Sequence, residues 1–302
     1  MKPLINELKG TGVALVTPFN NNKGIDFDSL SKLIEYHIAN GTSYLVILGT
    51  TGETATLSDA ERYAVLDFVI EQSSGRIPLV AGYGGNDTMH VLKAFKDYNP
   101  NKFAAILSVA PYYNKPNQNG LYAHYATLAK NCDTPIILYN VPGRTACNIA
   151  AETTVKLAED FDHIIGIKEA SGDLEQCMEI IKNRPENFLV ISGDDILTLP
   201  LLSSGVDGVI SVIANAYPKA TSEIVNNGLA GDFKNARTAH YHLLKMMQLI
   251  FEEGNPVGIK ACMTAQGLLG NNIRLPLVNT SDELMNKITL EVKRLLKNGI
   301  TS

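Results

Sequence analysis

The stretch IIGIKEA, residues 164–170, is an apolar run broken by a single lysine. Side chains alternate along a strand, so Gly166 and Lys168 share one face while Ile165, Ile167 and Glu169 share the other. Isoleucines suit a face covered by helices. Lys168 then points to the opposite side, into the interior of a barrel or sheet, with Gly166 leaving space beside it. A strand this apolar on both faces belongs to a parallel sheet.

Seven further runs read in the same way: VALVTPF (13–19), YLVILG (44–49), PLVAGYG (78–84), AAILSVAPYY (104–113), PIILYNV (135–141), FLVISG (188–193) and GVISV (208–212). Helical patterns separate them. SDAE, residues 58–61, is a capping box, and Val65, Phe68 and Val69 supply the stripe that follows. FDSLSKLIEYHIANG sets Phe27, Leu30, Ile34 and Ile38 on one face and closes at Asn40-Gly41, a C-cap. LEQCMEIIKN and LTLPLLSSG read as further helices.

Eight strands alternating with helices over about 200 residues predict an α/β fold, the (β/α)8 barrel. A doubly wound open sheet is the alternative that periodicity alone leaves. Beyond Gly231 the strand signals stop. FKNARTAHYHLLKMMQLIFEEG, PVGIKACMTAQGLLG and SDELMNKITLEVKRLLKNG read as helices, the second broken by glycine. The expected organisation is a catalytic barrel over residues 1–231 and a small helical domain over 232–302.

Composition narrows the function. Of 302 residues, 45% are hydrophobic and 19% charged, the balance of an ordinary globular protein. Twenty-six basic and 31 acidic residues give a net charge of −5 with no basic cluster, which argues against nucleic acid and anionic membranes as partners. No run of about 18 apolar residues suggests a membrane span. The N-terminal MKPLINELKG has no apolar core of a secretory signal, and Cys132, Cys147, Cys177 and Cys262 form no CxxC pair. Four reduced thiols in a cytoplasmic protein is the expectation. His37, His90, His124, His163, His240 and His242 lack metal-ligand spacing and read as surface or internally satisfied residues. No GxGxxG or GxxxxGK[ST] is present, so neither a dinucleotide nor a phosphate site is expected.

In a barrel the chemistry collects where strands end. An interior lysine favours its neutral amine, the form that attacks a carbonyl to give a Schiff base. Tyr139, on ILYNVPGRT, follows three apolar residues, and Pro142-Gly143 turn the chain to present Arg144. A phenol beside the lysine can shuttle protons, and a loop arginine can grip a carboxylate. The residues alone leave open a lysine paired with Glu169, a packed Tyr139 and a solvated Arg144. They also leave open which of Tyr112 and Tyr113 packs and which acts. GTTGE, residues 49–53, sets two hydroxyls between flexible glycines at a strand end.

Taken together and in this order, GTTGETATLS, APYYNKP, LYNVPGRT, GIKEASGD, SGDD and GVISV resemble the dihydrodipicolinate synthase family of pyruvate-dependent, Schiff-base-forming lyases. The resemblance spans essentially the whole chain, including EGNPVGIKACM. It implies that Lys168 forms the Schiff base with pyruvate and that the resulting enamine attacks L-aspartate 4-semialdehyde, on the route to diaminopimelate and lysine. It implies Tyr139 as proton donor and acceptor, with Thr50 and Tyr113 completing a proton relay and Tyr113 supplied by a neighbouring subunit. Thr51 and the backbone of Ile210 are implied as pyruvate-binding groups, and Arg144 as the clamp on the semialdehyde carboxylate. No cofactor and no metal is implied beyond the covalently held substrate, and the implied assembly is a homotetramer, a dimer of dimers.

Sister aldolases, N-acetylneuraminate lyase and the 2-keto-3-deoxy sugar-acid aldolases, share GIKE and TGE but do not usually pair GTTGE with YNVPGRT. A non-catalytic keto-acid sensor would lack Lys168 or Tyr139. The resemblance also implies an effector site for L-lysine around Thr54, Ala55, Asp59, Arg62, Asn86, His90 and Tyr112. Asp59, Arg62 and His90 depart from the lysine-inhibited pattern, in which histidines stand at the first two positions and a glutamate at the third. Weak or absent inhibition by lysine is therefore expected.

Overall fold

The computed structural model describes residues 2–97 and 102–300. Eight parallel strands close on themselves in chain order: β1 Gly10–Ala14, β2 Tyr44–Ile47, β3 Leu79–Gly82, β4 Ala105–Val109, β5 Ile136–Asn140, β6 Ile164–Glu169, β7 Leu189–Ser192 and β8 Gly208–Ser211. β1 pairs with β8 through Gly10↔Gly208 and Gly12↔Ile210, so the sheet has no edge and the open-sheet alternative is excluded.

Helices α1 Lys2–Glu7, α2 Phe27–Ala39, α3 Asp59–Ser73, α4 Thr88–Asp97, α5 Gln118–Lys130, α6 Pro142–Thr145 and α7 Ala151–Asp160 precede β6. Helices α8 Leu174–Asn183, α9 Thr198–Ser204, α10 Pro218–Leu229, α11 Phe233–Glu252, α12 Val257–Ala265 and α13 Asp282–Lys297 follow it. The capping box at Ser58 forms: its hydroxyl accepts from Glu61 N, and the Glu61 carboxylate accepts from Ser58 N. α2 ends at Asn40, with Gly41 at φ +81° as a left-handed stop.

Two cores result. One lies between strands and helices and contains Ile164, Ile167 and Val209; the other fills the barrel and contains Tyr44, Ile137, Tyr139, Leu189 and Ile210. Ile5 and Leu8 join this inner cluster, Ile5 from α1 and Leu8 just beyond it.

Two expectations need correction. β1 starts at Gly10, three residues before the apolar run, and Leu15–Phe19 lies beyond it. Gly12 is required there because a Cβ would overlap the ring of Tyr44, which fills the barrel interior. Ile165 packs inside the barrel, not against the helices, because the β5–β6 register skips at this point: Ile136 faces Ile164, and Ile137 faces Gly166. In the tail, the helix of PVGIKACMTAQGLLG is interrupted at a glycine as expected: α12 stops before Gly267 at φ +78°, while Gly258 lies within α12, where a Cβ would overlap the Ile250 carbonyl of α11.

Candidate active site

The C-terminal strand ends open into a cleft of about 510 Å³. Its walls include Leu48, Gly49 and Thr50 after β2, Gly82, Tyr83 and Gly84 at β3, Tyr112 after β4, and Tyr139 on β5. Arg144 on α6 and Asn255, Pro256, Pro276 and Leu277 from the C-terminal segment complete it.

Lys168 is buried on β6 opposite Tyr139 on β5, and its Nζ lies 4.3 Å from the Tyr139 ring centroid. Among the described residues Lys168 forms no ion pair. Its neighbour Glu169 points the other way and is committed elsewhere. Glu169 accepts from Asn140 Nδ2 at 3.0 and 3.1 Å, from Ser171 N at 2.8 Å and from Gln176 Nε2 at 2.9 Å. The Lys168–Glu169 pairing is thereby excluded. Asn140 and Glu169 are register partners one step beyond Tyr139 and Lys168, so their bond fastens the two strand ends where the inward pair meets.

Room for Lys168 does not come from Gly166. A Cβ at Gly166 would lie 2.8 Å from Leu189 Cβ, so that space is already filled. The glycine that matters is Gly193, after β7, where a Cβ would stand 3.0 Å from Lys168 Cε and 2.6 Å from Ala170 Cβ. Asp195, in the same loop, is buried and accepts from Ser211 Oγ at 2.6 Å and from Val212 N and Ile213 N at 3.0 and 2.9 Å. It fixes the end of β8; burial pushes its carboxyl above the usual range, against those hydrogen bonds.

The GTTGE turn is a short 3-10 helix, Thr50–Gly52. Thr50 is exposed on the cleft, whereas Thr51 is buried and its Oγ1 accepts from Asn255 Nδ2 at 3.0 Å. The Asn255 backbone oxygen accepts from Arg144 Nη2 at 3.3 Å. Glu53 closes the turn in a left-handed conformation and pairs through Oε1 with Lys260 Nζ at 2.5 Å. Its Oε2 accepts from Arg274 N at 3.2 Å. Lys260, the other lysine set among apolar residues, is therefore a structural tie between α12 and the turn.

Lys168, Tyr139, Thr50, Thr51 and Arg144 thus gather at one end of the barrel. Ile210 is on β8 with its side chain in the inner cluster. Tyr113 stands apart: it is 87% exposed, at φ +72°, and does not line the cleft of its own chain. Tyr112 lines the cleft beside it. The histidines are mixed. His37 and His124 are buried on Thr42 and Thr88, and burial lowers them to about 3 and about 4, so they stay neutral. Asn255 and the Glu53–Lys260 tie escaped the sequence reading, in which the glycine of SGDD, Gly193, marks only a place of close backbone approach.

Comparison with known proteins identifies the family. The profile of the dihydrodipicolinate synthetase family matches residues 7–296. The chain belongs to that family. It is 49% identical over 288 residues to the 4-hydroxy-tetrahydrodipicolinate synthase of Flavobacterium psychrophilum, covering 95% of this chain and 98% of that one. Dihydrodipicolinate synthase from Aquifex aeolicus superposes with a TM-score of 0.92 at 39% identity, over 97% of this chain and 99% of the other. The chloride-inhibited enzyme from Acinetobacter baumannii, solved with pyruvate, gives the same score, identity and coverage. Family membership makes the barrel a lyase scaffold. No helix among the described residues is long and apolar enough to cross a membrane.

Proposed function

We propose that the chain is a 4-hydroxy-tetrahydrodipicolinate synthase, condensing pyruvate with L-aspartate 4-semialdehyde. The observation that carries the reading is the pair Lys168–Tyr139. It is a buried lysine without a carboxylate partner, with a phenol ring 4.3 Å away at the base of a cleft that an arginine overlooks. Lys168 Nζ attacks the keto carbon of pyruvate, and the tetrahedral adduct loses its oxygen as water to leave the imine. Loss of a methyl proton gives the enamine. Its carbon attacks the aldehyde, whose oxygen takes a proton. The substrate amine then attacks the imine carbon, closing the ring and releasing Lys168. One water leaves overall.

Tyr139 handles these protons, with Thr50 and the Tyr113 of a neighbouring copy in the relay. Thr51 and the backbone of Ile210 hold the pyruvate carboxylate, and Arg144 holds that of the semialdehyde. The reading asks for no cofactor, because the lysine itself activates the keto group. It includes a cytoplasmic location and a homotetramer in which Tyr113, exposed on the isolated chain, is buried against a second copy.

A coupled assay with pyruvate and L-aspartate 4-semialdehyde, run beside N-acetylneuraminate cleavage, tests the substrate. Borohydride added with pyruvate tests the mechanism, and a single adduct on the Lys168 peptide is expected. Sugar-acid cleavage without condensation would replace the synthase by an aldolase. Failure to trap pyruvate would remove both.

A further inference from the structure

We infer that Asn255 is a positioning residue that sets the donor direction of the Thr51 hydroxyl, and that the C-terminal segment thereby tunes how pyruvate is held. The inference rests on the reading of Thr51 as a pyruvate-carboxylate ligand. A threonine hydroxyl has one proton to donate and lone pairs to accept. Asn255 Nδ2 donates to Thr51 Oγ1 at 3.0 Å, which occupies the accepting side and leaves the proton to point elsewhere. An anion in the cleft needs that proton. With Thr51 and Asn255 both buried, at 2% and 9% exposure, water does not readily re-aim the hydroxyl.

The same residue reaches the second carboxylate ligand, because its backbone oxygen accepts from Arg144 Nη2. The remainder of the segment fixes the turn from behind. Lys260 and the backbone N–H of Arg274 hold the Glu53 carboxylate, and Arg274 Nη1 donates to Thr56 O at 3.0 Å. Asn255 is thus built into a rigid frame around Thr51 and bears on it through one polar contact.

Polarity and shape make opposite forecasts for two substitutions. Asn255→Asp keeps the shape but turns the contact round: the Thr51 hydroxyl donates its hydrogen bond to the carboxylate and is left with lone pairs facing pyruvate. Asn255→Ala loses the shape but leaves the hydroxyl free to donate. Pyruvate-dependent borohydride trapping on Lys168 supplies the readout, as the pyruvate concentration giving half-maximal labelling. It should rise by about 10- to 150-fold in the Asn255→Asp variant, the range for a lost hydrogen bond to a charged group, and by less in the Asn255→Ala variant.

Plain repulsion between the introduced carboxylate and pyruvate would mimic this order, so both substitutions are repeated on Thr51→Val. There the difference between the two variants should collapse. A difference that persists on Thr51→Val, or an Asn255→Asp variant that binds pyruvate as well as the Asn255→Ala variant, overturns the inference. If the unaltered protein traps no pyruvate, it is the proposed function that fails. Labelling at saturating pyruvate shows that each variant is folded.

Discussion

Lys260 is the residue on which the assignment of the reactive lysine can be tried hardest. It is fully buried, with Nζ 2.5 Å from Glu53 Oε1, 3.2 Å from Asn272 O and 4.2 Å from the Phe19 ring centroid. Lys260→Met fills most of the volume but leaves Glu53, whose side chain is 1% exposed, with the Arg274 N–H at 3.2 Å in place of a cation. Removing one partner of a buried pair costs about 3–5 kcal/mol. At about 2–4 °C per kcal/mol for a chain of this size class, the melting temperature should fall by roughly 6–20 °C. Glu53→Gln/Lys260→Met removes both charges and should recover most of that loss.

The pH dependence has a definite sign. Burial lowers the Lys260 ammonium from 10.5 to about 8, against the pull of Glu53. Between those values the unfolded chain binds the additional proton, so stability rises with pH across the window, and the Lys260→Met variant lacks that rise. Calorimetry measures the melting, and peptide mapping after borohydride measures the chemistry. Lys260→Met should still carry pyruvate on Lys168 well below its melting temperature. A variant that melts normally but traps nothing, or an adduct found on Lys260, would refute the reasoning.

Arg144→Ala should leave pyruvate trapping near normal and raise KM for the semialdehyde by about 10- to 100-fold, as expected for a hydrogen-bonded charge at an exposed rim; equal loss in both steps would make Arg144 a structural residue. Mixing Tyr113→Phe subunits with Lys168→Ala subunits should restore activity where neither parent has much, and verified mixed oligomers that stay inactive would return Tyr113 to its own chain or to no role. L-Lysine should inhibit at least roughly 30-fold more weakly than in a fully equipped site, since the Asp59 carboxylate is already engaged by Arg62 Nη1 at 3.3 Å and His90 supplies no anion; cooperative inhibition below about 1 mM in an activity titration would contradict this. Arg274 holds Glu61 at about 2, below its ordinary 4.5, so this contact contributes stability above that ordinary value and loses it as pH falls towards 2; Glu61→Gln should flatten the acid limb of a melting-temperature profile, and an unchanged limb would remove the contact from the account.

The barrel was legible because parallel strands buried on two sides leave short apolar runs, and their number, eight, favours closure over the open sheet that periodicity alone allows. The reading faltered where the barrel asked for glycine. Gly10 and Gly12 hid the start of β1: at Gly12 the ring of Tyr44 occupies the space a side chain would need, and at Gly10, at φ +90°, the Ser43 hydroxyl does. Alternation misplaced Ile165 for a related reason: strict period two assumes an unbroken ladder, and the register skip between β5 and β6 is invisible in one strand's own sequence.

The same limit explains which parts of the site were readable. Lys168 and Tyr139 stand out as candidates because a polar group in an apolar run is a local anomaly, though the residues alone leave their roles open and only the resemblance assigns them. Gly193 gives only the weak signal of a glycine at a strand end, since its effect is on a side chain one strand away. Asn255 and Lys260 meet their partners across 204 and 207 residues, and no period links such positions. Lys260 in isolation even resembles a reactive lysine. Only the structure separates the two: Lys260 is held by Glu53 and the Asn272 carbonyl, while Lys168 has a ring for company and Glu169 turned away. On the proposed reading, Lys168 is set apart from Lys260 by the lack of a carboxylate partner and not by burial, for Lys260 is the more deeply buried of the two.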